Sequence, residues 1–212
     1  MDAVAVWFRY VCVLLHVFAL AVALGTIFRE DFKLLIEKNP HLDLRHLHRI
    51  SRVILCALAV LWVTGLTLIS IDTGWAPEKL ANPKLLTKLI VVVVLTINGV
   101  VLHRILMPSL SSPSSHSPRV ATIFSLVGAI SMVSWLYAAC LGVAKPLVPL
   151  MGFASFFGLY LLAVGGAIGI ALTYMRPRIE RLLATERPPA AIHEDTYVDF
   201  PLSGEMQNLE PQ

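Results

Sequence analysis

Trp7-Phe8-Arg9-Tyr10-Val11-Cys12-Val13-Leu14-Leu15-His16 opens an apolar run that extends from about Val4 to Phe28. At ~1.5 Å of rise per helical residue, such a run crosses the ~30 Å hydrocarbon layer of a bilayer. Arg9, Cys12 and His16 fall at i, i+3 and i+7 and so share one face of that helix. Ionisable groups at membrane depth are costly unless partnered, which makes each of them a candidate functional residue. His16, near the middle of the span, is the pivot.

Four further apolar segments follow, at about 50–71, 85–107, 120–143 and 149–174, each mostly free of charge. With 57% hydrophobic and 15% charged residues and a mean hydropathy of +0.74, the chain lies far from the composition of a soluble domain. Ten-residue alternating strands, which a membrane barrel needs, do not occur. The expected fold is an all-α, polytopic integral membrane bundle of five transmembrane helices over residues 1–177, followed by a tail over 178–212. That tail carries Glu194, Asp195, Asp199, Glu205 and Glu210 with several prolines, a composition expected to be largely disordered.

Orientation follows from the basic residues. Twelve (Arg29, Lys33, Lys38, Arg45, Arg49, Arg52, Arg104, Arg119, Arg176, Arg178, Arg181 and Arg187) fall on one side of the five spans. Five (Arg9, Lys79, Lys84, Lys88 and Lys145) fall on the other. The positive-inside rule then places the N-terminus outside and the C-terminus in the cytoplasm, as in a multi-pass protein of a bacterial inner membrane. The N-terminus lacks a basic region ahead of its apolar run and reads as a retained span. No Lys/Arg-rich run supports a nucleic-acid partner. Cys12, Cys56 and Cys140 lie in apolar segments without CxxC spacing, which argues against a disulfide framework.

In the first connection, Asn39-Pro40 has the pattern of a helix cap and N1 proline. From there His41, Arg45, His48, Arg52 and Cys56 recur along one face. Two readings apply: a stripe facing solvent or phospholipid headgroups, or an anionic-ligand or proton-exchange site at the inner mouth. Trp75 suits an interfacial anchor. The third segment begins near Pro83, carries Lys88 one turn inside and ends on His103-Arg104. The link Ser109–Pro118 is rich in Ser and Pro. Ser125, Gly128, Ser131 and Ser134 in the fourth segment, and Gly158, Gly165, Gly166 and Gly169 in the fifth, suggest close helix packing. That packing is either within the bundle or across a homodimer or larger membrane complex.

Two polar layers result. Arg9 and Lys88 share a level near the outer surface, with Cys12 and His16 below them. His16 lies ~10 Å deeper than Arg9 at helical rise. His41, His48, Arg49, Arg52, His103 and Arg104 form the inner layer. A b-type haem suits the outer half: the imidazole of His16 as axial ligand, Arg9 and Lys88 meeting the propionates, and His103 with His48 as an inner proton or electron exit. Met132, Tyr160 or a neutral Lys88 stand as second axial candidates. Two other readings stay open. His16 has only a hydrogen-bonding role toward Asn98 or Thr64, or Cys12-x-x-x-His16 holds copper, thiolate and imidazole being suited to Cu(I). For Arg9 and Lys88 the plain alternative is snorkelling to the headgroups. No residue is assigned a catalytic role.

The order Leu15-His16-Val17, Ala23-Leu24-Gly25, His48-Arg49-Ile50, Thr64-Gly65, Leu85-Leu86-Thr87-Lys88-Leu89, Leu102-His103-Arg104-Ile105-Leu106-Met107-Pro108 and Lys145-Pro146 resembles a superfamily of small membrane proteins. It groups the HemJ-type protoporphyrinogen IX oxidases with the copper-resistance protein D domain. The similarity spans about residues 8–147. It implies b-type haem binding through His16, with Lys88 in the place of the third-helix lysine. Leu86 stands where the oxidases have a histidine, and Val120-Ala121-Thr122-Ile123 replaces their acidic motif. The expectation is therefore haem or porphyrin binding with a redox or tetrapyrrole-handling role. The copper side of the resemblance implies instead a copper or ion permease, and a third possibility is an accessory structural subunit without catalytic activity.

Overall fold

The structure is a computed structural model that describes residues 3–36, 44–110 and 118–185. All regular structure in them is helical. α1 (Ala3–Ile36) and α2 (Leu44–Thr73) form an antiparallel hairpin, and a turn with the short α3 (Pro77–Leu80) leads to α4 (Pro83–Val101). A π-helical turn at Leu102–Leu106 joins α4 to α5 (Met107–Leu110). α6 (Pro118–Val143) follows, then α7 (Phe153–Ile170), a second π turn at Ala171–Met175, and α8 (Arg176–Thr185). Among the described residues, five continuous helical stretches are long and apolar enough to cross a membrane: Ala3–Lys33, Arg45–Thr73, Pro83–Ser109, Pro118–Val143 and Phe153–Arg181. The chain is thus an all-α polytopic bundle.

Helix starts follow from local chemistry. Asn82 caps α4, its side-chain oxygen accepting from the backbone N–H of Lys84 and of Leu85, with Pro83 at the first helical position. Before α3 the chain turns through Gly74 and Trp75, both at positive φ (57° and 61°). Trp75 holds that unfavourable geometry with its indole N–H donated to Ser70 Oγ at 3.2 Å. The fifth spanning helix starts at Phe153, a few residues later than the apolar run, because Pro149 lies in a turn and Gly152 is extended ahead of it. It also runs on through residues 178–185, which the sequence assigns to the tail. The ion pair of Arg176 with Glu180 and the buried Ile179 give that extension its support.

α6 is the central element, packing against α1, α4, α7 and α8. The main core joins Ala19, Ala23, Ala57, Leu61, Val91, Leu95, Trp135 and Tyr160. A second cluster, around Leu106, Ala121, Val127 and Ile179, closes the end where both π turns lie. Polar cross-links tie helices together: Asn98 Nδ2 donates to Val127 O at 3.0 Å between α4 and α6. Ser134 Oγ and Tyr160 OH pair at 2.8 Å between α6 and α7. Of the two packing roles expected of the glycines, the one within the bundle is not found. Gly128, Gly158, Gly165, Gly166 and Gly169 are exposed, and a Cβ on each would meet nothing within 4 Å. They face outward, so within this chain they mediate no close approach. Asn39-Pro40, His41, the Ser/Pro link at 111–117 and the tail from 186 lie outside the described residues.

Candidate functional site: the polar seam of the first hairpin

The face of α1 turned to α2 repeats every seven residues as Arg9, His16, Ala23 and Glu30. Ala23 is fully buried, with Ala19 and Ala57 buried beside it, and such small side chains let two helices approach closely. The other three members each find a polar partner on α2. Arg9 makes a two-pronged contact with Asp72, Nε to Oδ1 at 2.8 Å and an Nη to Oδ2 at 3.3 Å. His16 Nδ1 lies 2.8 Å from Thr64 Oγ1. His46 Nε2 lies 3.2 Å from Glu30 Oε2, and Glu30 also meets Arg29 at 3.4 Å.

The middle rung has a defined proton arrangement. A threonine hydroxyl carries one proton, and Thr64 Oγ1 sits 2.6 Å from Val60 O, to which it donates. Its oxygen is then the acceptor for His16, so Nδ1 carries the imidazole proton. Nε2 keeps a lone pair and has no hydrogen-bond partner among the described residues. The ring rests on Gly65, where an added Cβ would meet Cε1 at 3.5 Å. Asn98 is committed to Val127 O and has no part in this rung.

Lys88, half-buried on α4, lies in electrostatic reach of His16 and of Lys84. No acidic group or hydrogen-bond acceptor among the described residues contacts its ammonium. Arg9 and Lys88 therefore differ: the first is neutralised by Asp72, the second is uncompensated. Cys12 is buried and free one turn from His16. Among the described residues no three of His, Cys, Asp and Glu converge on a metal position. Of the candidate second axial ligands, Tyr160 is held by Ser134, and Met132 packs against the main core.

At the opposite end, His48 and His103 meet edge to face with ring centroids 6.3 Å apart. Buried Ser51 lies 3.4 Å from His103 Nδ1. The π turn at Leu102–Leu106 carries His103 and Arg104; such bulges recur at functional positions. The structure thus brings together His48 with His103, and sets His16 in reach of Lys88, but it pairs Arg9 elsewhere. Spacing along each helix does not by itself single out Asp72, Glu30, His46 or Ser51. The available signal was register: in an antiparallel hairpin, Arg9/Asp72 and His16/Thr64 lie seven and eight residues apart on their respective helices, so one rung locates the other. Comparisons of the chain with protein families, with characterised proteins and with solved structures find no match.

Proposed function

We propose that this bundle binds a b-type haem or porphyrin through Nε2 of His16 and serves a redox or tetrapyrrole-handling role in the membrane. The observation that carries the reading is the Thr64–His16 rung. A metal-ligating histidine commonly donates its other ring N–H to a fixed acceptor, which sets tautomer and ring plane and raises ligand basicity. Thr64, itself anchored to Val60 O, is such an acceptor here and leaves the Nε2 lone pair free for a ligand.

The rest of the site fits in part. Lys88 offers an uncompensated cation for a propionate, whereas Arg9 reaches one only by leaving Asp72. A bound haem would supply a one-electron centre whose potential depends on axial ligation and burial. The His48–His103–Ser51 group, at the far end, is the proposed proton or electron exit. The copper reading rests on Cys12 and His16 alone, two donors where a stable site needs more. One observation favours a structural reading: the His16–Thr64 bond is also what a packing cross-link between membrane helices looks like. The outward glycines of α7 are where a homodimer or larger complex would form, in a bacterial inner membrane with the N-terminus outside.

Absorption spectra of protein purified after expression with ample haem decide between these readings. The expected result is a Soret band, with α and β bands that sharpen on reduction, all of them lost in His16→Ala. Colourless protein with stoichiometric copper would support the permease. Colourless, metal-free protein would leave the structural role.

A further inference from the structure

Between α1 and α2 lies an open groove of about 630 Å³. Its walls are apolar: Phe18 and Val22 on α1, Val53 and Val60 on α2. One end differs. Arg49 and Arg52 line it there, both exposed and with no acidic or hydrogen-bonding partner among the described residues. From Arg49 to Val60 the groove follows α2 for ~16 Å at helical rise. That is about half of a ~30 Å hydrocarbon layer, the depth of one leaflet.

We infer that this groove is a binding site for one anionic phospholipid, its phosphate at Arg49 and Arg52 and one acyl chain along Phe18, Val22, Val53 and Val60. Three features select that occupant. Two guanidiniums with no acidic partner among the described residues sit at one end only, so the ligand is anionic at one end. The remainder offers hydrocarbon contact over the length of one leaflet, so the ligand is an amphiphile of that length. A guanidinium fork binds a phosphate through two parallel hydrogen bonds, and each basic residue near the headgroups favours an anionic lipid by about fivefold. The haem proposal is independent, because His16 faces Thr64 and Gly65 and does not line the groove.

Native mass spectrometry of the full chain, released from nanodiscs of equal phosphatidylglycerol and phosphatidylcholine, tests this. The expected result is one retained phosphatidylglycerol, preferred over phosphatidylcholine by about thirtyfold, the product of two such contributions. Arg49→Gln with Arg52→Gln should abolish the preference, and Val53→Trp, which fills the groove from an exposed position, should reduce retention of either lipid. Arg104→Gln, an exposed arginine outside the groove, should change neither. Equal retention of the two lipids by the unaltered protein would overturn the inference. So would an unchanged preference in the double Gln variant, or an equal loss in Arg104→Gln. Haem content and helical circular dichroism of each variant distinguish loss of the lipid site from loss of the fold or of the haem.

Discussion

At the scale of single residues, the account turns on which atom of His16 is free. Thr64 has its proton committed to Val60 O at 2.6 Å, so it receives a hydrogen bond from His16 and fixes the tautomer. Thr64→Val keeps the shape and removes the acceptor. Haem titration should show affinity falling about 10- to 100-fold, the usual cost of losing such an outer partner, while Thr64→Ser retains it. An unchanged affinity in Thr64→Val would mean that the rung plays no part in ligation. The face Arg9/Cys12/His16 was legible from spacing alone, because a heptad is a helix face. Which of its members had partners was not. Asp72 lies just past the apolar segment 50–71, and only the pairing of two helices shows that it sits at Arg9's level. With side-chain exposures of 36% and 48%, that pair is screened by solvent, so it organises the outer end more than it stabilises it.

At the scale of elements, α6 holds the bundle together. Trp135 is almost fully buried in the main core, and Ser134, beside it, is the partner of the buried Tyr160 hydroxyl. Trp135→Ala should cost about 3–5 kcal/mol through the cavity it leaves. Ser134→Ala should cost about 1–3 kcal/mol by stranding the Tyr160 hydroxyl. Unfolding in detergent mixtures of rising denaturing fraction measures both, with the exposed Leu162→Ala as the near-neutral reference. Five spans were readable because apolar length is a strong signal. The outward direction of the α7 glycines was not, since spacing gives a face but not what it meets. The continuation of α7 into α8 was hidden for a related reason. Arg176, Arg178, Glu180 and Arg181 read as the end of a span, whereas the Arg176–Glu180 pair and buried Ile179 prolong the helix.

At the scale of the whole molecule, two ends differ in chemistry. One carries the Arg9–Asp72 pair and Lys88; the other gathers His46, His48, His103, Arg49 and Arg52 with both π turns. α1, at 34 residues, is ~51 Å long at helical rise and exceeds the ~30 Å core, so it tilts or projects beyond one face. The excess of basic residues at the second end predicts that this end is cytoplasmic. A reporter fused to the C-terminus, active only in the cytoplasm, should be active; activity of a periplasm-dependent reporter instead would invert the topology. The redox proposal then has His16 near mid-membrane with its exit group facing the cell interior. Its most direct test is His16→Gly purified with and without added imidazole. The account predicts a Soret band absent without imidazole and restored by it, because the small molecule supplies the missing lone pair. A band at full occupancy in His16→Gly without imidazole would contradict it.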